Sequence, residues 1–335
     1  MNEQAELMRS AAREFAEKYL KDVATKIERE GIGSDIKEKI LQQGFLGATL
    51  SPDMGGAGLD PLSQRLMLFE FAKVSPSVSA YIFFHNDIVS KVLETRSDKE
   101  SIRNLLEGKD NYGIYWPGLM EGAKTNSSEK VMERVINSSC NKTIGLFSDG
   151  KVYLVEGKNE PVKDFKPLGL RGMGICNFFP EKRVEYGKKE VLEDLLIKSS
   201  GDIASIFLGI AEGSLEKTME YTRVRKTFNE PLKNYEPVAF KMAELESELE
   251  IMKYSLFSDE ADEVRLLMLK NMSASFSKKA TKYALQFHGG YGYLEDFGVE
   301  KFYRDSVALS AIIYRPVEDK RFLASKIYGD RSGFL

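Results

Sequence analysis

The chain has 335 residues, 42% of them hydrophobic, and its 48 basic side chains are interspersed with 51 acidic ones for a formal net charge of −3. That length can bury a large core in one large or two to three smaller units, and the near balance of mixed charges argues against nucleic acid as a partner. No run of about eighteen apolar residues marks a membrane span, and the opening MNEQAELMRS has no hydrophobic segment of a secretory signal, so the expected location is the cytoplasm.

From Ala5 to Glu30, Leu7, Ala11, Phe15, Tyr19, Val23 and Ile27 recur at four-residue steps between charged residues, which predicts a long amphipathic helix. Further helical runs follow at 35–43, 61–74, 79–96 and 98–107, punctuated by the glycines and proline of GFLGATLSPDMGGAGLD (44–60). Residues 1–109 therefore read as an N-terminal helical domain. Between 110 and 197 the texture changes to short β-branched or aromatic runs (TIGLF, KVYLVEG, NFFPEKRVEYG) separated by SDG, KNE and GLRGMG turns, a small middle β domain. Residues 198–335 return to helical periodicity. Val238, Met242, Leu245, Leu249 and Met252 form one seam, and Leu269, Met272, Phe276, Ala280, Tyr283 and Phe287 another, as in a helical bundle. The fold class is mostly α with a small central β domain.

Cys140 and Cys176 lie 36 apart with no CxxC or Cys/His spacing, and read as ordinary free thiols. The only histidines, His85 and His288, sit among apolar residues and glycines and read as packing residues. No GxSxG, P-loop or HExxH motif occurs, so hydrolase, kinase and metalloprotease chemistry lack their residues, and no metal site is expected.

Five segments in order, GFLGATLSPDMGGAGLD (44–60), His85-Asn86, GLRGMG (169–174), YTRVRKTFNEPLKNYEP (221–237) and ALQFHGGYGYLEDFGVEKFYRDS (284–306), resemble the acyl-CoA dehydrogenase superfamily over nearly the whole chain. The resemblance implies an N-terminal helical domain, a β-barrel-like middle domain and a C-terminal four-helix bundle. It implies FAD as cofactor, an acyl-CoA substrate, a homodimer or homotetramer, and electron-transfer flavoprotein as the redox partner of an active enzyme. By that resemblance Arg225 grips the FAD pyrophosphate, a task suited to the two-pronged guanidinium, and Phe228 packs against the cofactor. Gln286, Gly289 and Gly290 reach a neighbouring subunit's FAD, with glycines admitting the anion to bare backbone N–H groups. A glycine helix cap with aromatic packing is the plainer reading of the same segment. Asn229 and Glu236 stand where relatives carry glycine and glutamine. An acid near a pyrophosphate needs pairing, which Lys233 could supply.

The resemblance fails at the chemistry. Dehydrogenation requires a carboxylate over the substrate α-carbon, yet the positions matching the family's base are Ile313 or Arg315, or Ser199 and Ser200 in the alternative arrangement. Asp202 and Glu318 are the nearest carboxylates and the candidate bases. The stretches at 115–127 and 129–143 that match the flavin-ring loops retain little beyond Ile136 and Asn137. Three functions follow: an FAD-dependent acyl-CoA dehydrogenase with a shifted base, a non-catalytic subunit lending FAD contacts to a paralogous catalytic subunit, or a flavin-free acyl-CoA or protein binding module.

Overall fold

The computed structural model describes residues 3–116, 130–162, 166–258 and 261–329. In chain order its elements are helices α1 (Glu3–Phe15), α2 (Ala24–Glu30), α3 (Ser34–Gln42), α4 (Pro61–Val74), α5 (Pro76–Phe83), α6 (Ser90–Thr95) and α7 (Lys99–Leu106), then strands β1 (Tyr112–Tyr115), β2 (Met132–Ile136), β3 (Lys142–Leu146), β4 (Lys151–Pro161) and β5 (Ile175–Lys188). They continue with α8 (Lys189–Lys198), α9 (Ser200–Val224), a minimal hairpin of β6 (Lys226–Thr227) and β7 (Glu230–Pro231), α10 (Glu236–Leu256), α11 (Glu263–His288), α12 (Glu300–Ile313) and α13 (Pro316–Tyr328). Two compact units form, one from residues 1–25, 65–76 and 200–335, the other from 26–64 and 77–199.

In the first unit, Phe69 of α4 packs with Ala204, Leu208 and Leu215 of α9, Leu245, Leu249 and Met252 of α10, and Leu269 and Phe276 of α11. A methyl at Gly209 would lie 2.6 Å from the Phe69 carbonyl oxygen, so α9 can close on α4 only because that position has no side chain. Helices α9 and α11 run in the same direction. A Cβ on Gly201, at the start of α9, would lie 3.1 Å from Leu266 at the start of α11. At the other ends, the Tyr221 ring stacks on His288 with centroids 4.3 Å apart.

The first helix departs from its expected face. Leu7 is 66% exposed, while Ala5, Ala12, Phe15, Ala16, Leu20 and Ala24 are buried. A constant four-residue step overruns the 3.6-residue turn and walks around the helix. The chain keeps Phe15 and Ile27 of the expected seam and fills the rest of it with other residues and a wide π turn at Ala16–Leu20.

In the second unit the five strands close a barrel in the order β1-β2-β5-β4-β3, with β3 pairing back to β1 in parallel and the other pairs antiparallel. Its interior is filled by Tyr115, Met132, Val135, Cys140, Val155, Cys176 and Phe178. A second π turn, Phe84–Val89, buries His85, Asn86 and Asp87. Asn86 explains why these polar residues are tolerated there: its amide donates to Phe45 O (2.9 Å) and accepts from the Gly47 N–H (2.7 Å), fixing the start of the glycine-rich segment.

His85 is likewise structural. Its Nδ1–H donates to Tyr81 O at 2.8 Å, which leaves Nε2 to accept the backbone N–H of Tyr112 at 3.3 Å. Only the neutral ring can do both, and burial pushes its pKa down to about 4 from an ordinary 6.5. The unfolded chain therefore binds the proton more readily than the folded one. Stability from this group is full above pH 6.5 and drains as pH falls toward 4. A loss of about 3 kcal/mol across that window is expected from a shift of this size, measurable as a falling urea midpoint. A midpoint flat from neutrality to pH 4 would contradict it.

Candidate functional site

The groove lies where α9 and α11 end. Helix α9 gives way to the β6–β7 hairpin, whose two central residues, Phe228 and Asn229, have φ of +49° and +68°. Paired positive values are the mark of the hairpin turn that follows strand twist, and asparagine accepts them readily. A phenylalanine in that region is unusual, and Phe228 is 91% exposed, held out from its own chain. Helix α11 stops at Gly289, whose φ is +57°.

Between these ends is a hollow of about 410 Å³ whose walls include Tyr221, Arg225, Gln286, Gly289, Gly290 and Tyr291. The Arg225 guanidinium lies 5.4 Å from the Tyr291 ring centroid, a cation–π contact that holds the side chain over the hollow. Its backbone is tied down too, since Arg225 O accepts the Leu232 N–H at 2.8 Å. A Cβ on Gly289 or Gly290 would meet no atom within 4 Å and would project into open space. Bare backbone, a fixed guanidinium and a side-chain amide thus face one opening, a donor set that suits an anion of diphosphate type. The structure therefore brings together Arg225, Gln286, Gly289 and Gly290.

His288 forms the groove's floor rather than an acid or base. Burial lowers its pKa, Nδ1–H donates to Ala284 O (2.7 Å), and its backbone oxygen accepts from the Tyr221 hydroxyl (3.4 Å). Tyr221 and Tyr291 were in the motifs noted above, but their pairing with His288 and Arg225 arises only when α9 and α11 end together. Glu236 sits in the first turn of α10, where the helix's positive end offsets a carboxylate.

The remaining residues singled out above lie elsewhere. Asn137, in the barrel unit, spends its amide on Asn111 Oδ1 (2.9 Å) and Tyr112 O (2.8 Å). Of the stretch 115–127, residues 117–127 lie outside the described residues. Glu318 opens α13 and accepts from Arg315 Nη2 at 2.9 Å. Burial pushes its carboxyl up, but its own backbone N–H and Arg315 outweigh that, and it titrates below the usual range. Asp202 is in the first turn of α9 and 8% exposed. Burial raises its carboxyl to about 7 against the pull of Arg65, and Oδ1 has no hydrogen-bond partner among the described residues. Helix rise puts about 33 Å between Asp202 and the last residue of α9, beside the Arg225 groove.

A family model described as acyl-CoA dehydrogenase, N-terminal domain, matches residues 2–108, and one described as acyl-CoA dehydrogenase, C-terminal domain, matches residues 196–312. The chain is 25% identical to a 3-(aryl)acrylate reductase of Clostridium sporogenes, covering 90% of this chain and 93% of that protein. It is 26% identical to the caffeyl-CoA reductase-Etf complex subunit CarC of Acetobacterium woodii, covering 91% and 93%. A glutaryl-CoA dehydrogenase of Mycobacterium smegmatis, solved in complex with FADH2, shares the fold at a TM-score of 0.85 and 14% identity over 100% of this chain and 97% of that one.

Proposed function

This chain belongs to the acyl-CoA dehydrogenase family, and from that premise we propose that it is a subunit of an FAD-binding oligomer whose Arg225 groove grips the diphosphate of a flavin shared with a neighbouring chain. The carrying observation is the convergence of Arg225, Gln286, Gly289 and Gly290 on one hollow at the far end of α9 from the buried carboxylate Asp202. That span is longer than an extended dinucleotide, so one chain's Arg225 and Asp202 cannot serve the same flavin. Two chains can. The exposed Phe228, and an outer face of α10 carrying exposed Phe240, Ile251 and Tyr254, support an assembled form.

FAD bound there would supply a hydride acceptor for α,β-dehydrogenation of an acyl-CoA. This chain's part is to orient the diphosphate at Arg225 and to hold a proton acceptor at Asp202. A general base works best with a pKa near the operating pH, and Asp202 meets that better than Glu318, which Arg315 holds as a weaker base. An electron-transfer flavoprotein would be the redox partner of such an enzyme, a partner type in keeping with the Etf-complex relative.

Asp202→Asn is expected to lower acyl-CoA-dependent dye reduction by roughly 10²–10⁴-fold while leaving flavin absorbance intact. Unchanged turnover would remove Asp202 from the reaction. A second reading, the non-catalytic subunit, is favoured by Arg315, which stands at one of the family's base positions and pairs with the nearby Glu318 at 2.9 Å. Turnover that appears only on co-expression with a paralogous catalytic subunit would select it. A preparation that binds CoA esters yet takes up no FAD would select the flavin-free module.

A further inference from the structure

Cys140 and Cys176 meet inside the barrel. Cys140 lies in the turn from β2 to β3, and Cys176, the second residue of β5, lies opposite Val135 of β2. Their sulfurs are 3.7 Å apart and both side chains are fully buried. Ser139 and Asn141, on either side of Cys140, are exposed, so a single turn separates the pair from solvent.

The surroundings treat the two sulfurs differently. Lys37 of α3 donates to the Ser139 hydroxyl and places a half-buried ammonium near Cys140. The Thr143 hydroxyl lies 3.9 Å from Cys140 Sγ, while Cys176 Sγ is 3.8 Å from the Asn137 carbonyl oxygen. Either thiol can donate to the other, and their contact lowers the pKa of Cys140 and raises that of Cys176, whose own S–H points toward the Asn137 carbonyl oxygen. One sulfur is thus prepared as nucleophile and the other as its resolving partner.

We propose that Cys140 and Cys176 form a redox-active dithiol that a peroxide converts to an intramolecular disulfide. Cys140 sulfur attacks one peroxide oxygen, the O–O bond breaks, and water leaves with a sulfenic acid on Cys140. Cys176 sulfur then displaces that oxygen as a second water and forms the S–S bond. Two thiols are oxidised, one peroxide is reduced, and the two thiol protons end in the waters. The sulfurs must approach by about 1.7 Å to reach bonding distance, a movement the short turn can supply. The bond would staple the β2–β3 turn to β5 and close a loop containing β3 and β4. No part of this depends on the flavin reading.

The test treats the full-length protein with hydrogen peroxide and then alkylates it after unfolding. Expected are two protected thiols, a mass decrease of about 2 Da, a peptide joining Cys140 to Cys176, and reversal by dithiothreitol. The thermal midpoint should rise by several degrees, and Cys176→Ser should yield over-oxidised Cys140 in place of the bond. Lys37→Gln should slow the wild-type reaction several-fold. Full alkylation of both thiols after peroxide, or a disulfide that joins two chains instead, would overturn the proposal.

Discussion

Arg225→Ala is expected to lower FAD affinity roughly 10²-fold and to yield colourless protein, with folding unaffected. A fork of charge-assisted hydrogen bonds to a phosphate is worth about 2–3 kcal/mol, and Arg225 is the cation lining the hollow beside Gly289 and Gly290. Arg225→Lys keeps the charge and loses the fork, so an intermediate loss of about 10-fold is expected. The side chain is exposed, so removing it should change unfolding free energy by less than about 0.5 kcal/mol. Fluorescence titration with FAD reads the first effect and urea unfolding the second. Stoichiometric flavin in the alanine variant would mean that the groove does not carry the diphosphate.

The largest effect on stability is expected at the other end of the bundle. Lys270 of α11 donates to Asp319 of α13 at 2.7 Å, with side chains only 1% and 3% exposed. Burial lowers the pKa of Lys270 and raises that of Asp319, so each charge is disfavoured by its site and tolerated only because of the other. Lys270→Met strands a buried carboxylate, and about 3–5 kcal/mol of stability should be lost. Lys270→Met combined with Asp319→Leu removes both charges and should recover most of that loss. Urea unfolding of the two variants decides it. A single variant within 1 kcal/mol of the parent, or a double variant no better than the single, would show that the pair is not a coupled buried unit.

Much of the fold was legible because its regular parts obey simple periods. KVYLVEG lies within β4, and Leu245, Leu249 and Met252 bury on α10 at the expected spacing. Apolar patterning could not show the polar half of the buried faces. Lys270, Ser273, Ser277 and Thr281 are all buried on α11. Ser273 and Thr281 are admitted because their hydroxyls donate to Lys270 O (3.1 Å) and Ser277 O (2.7 Å), and Lys270 by the distant Asp319, while the Ser277 hydroxyl has no partner among the described residues. Met272, placed in the seam by its spacing, is instead 57% exposed.

The site divides the same way. Arg225 and Gly289–Gly290 could be named from motifs because the family pattern persists there. That they share one hollow depends on the parallel course of α9 and α11, which no local pattern encodes. The contrast between Asp202 and Glu318 was equally hidden, since both are first-turn acids in sequence and differ only in what surrounds them.

The central claim is that a flavin on this protein is held by two chains at once. Sedimentation velocity on the FAD-loaded protein, followed in both the flavin band and the protein band across a dilution series, tests it directly. Flavin absorbance should travel only with species of two or more chains and become free as they dissociate. Flavin travelling with a single chain would contradict the account.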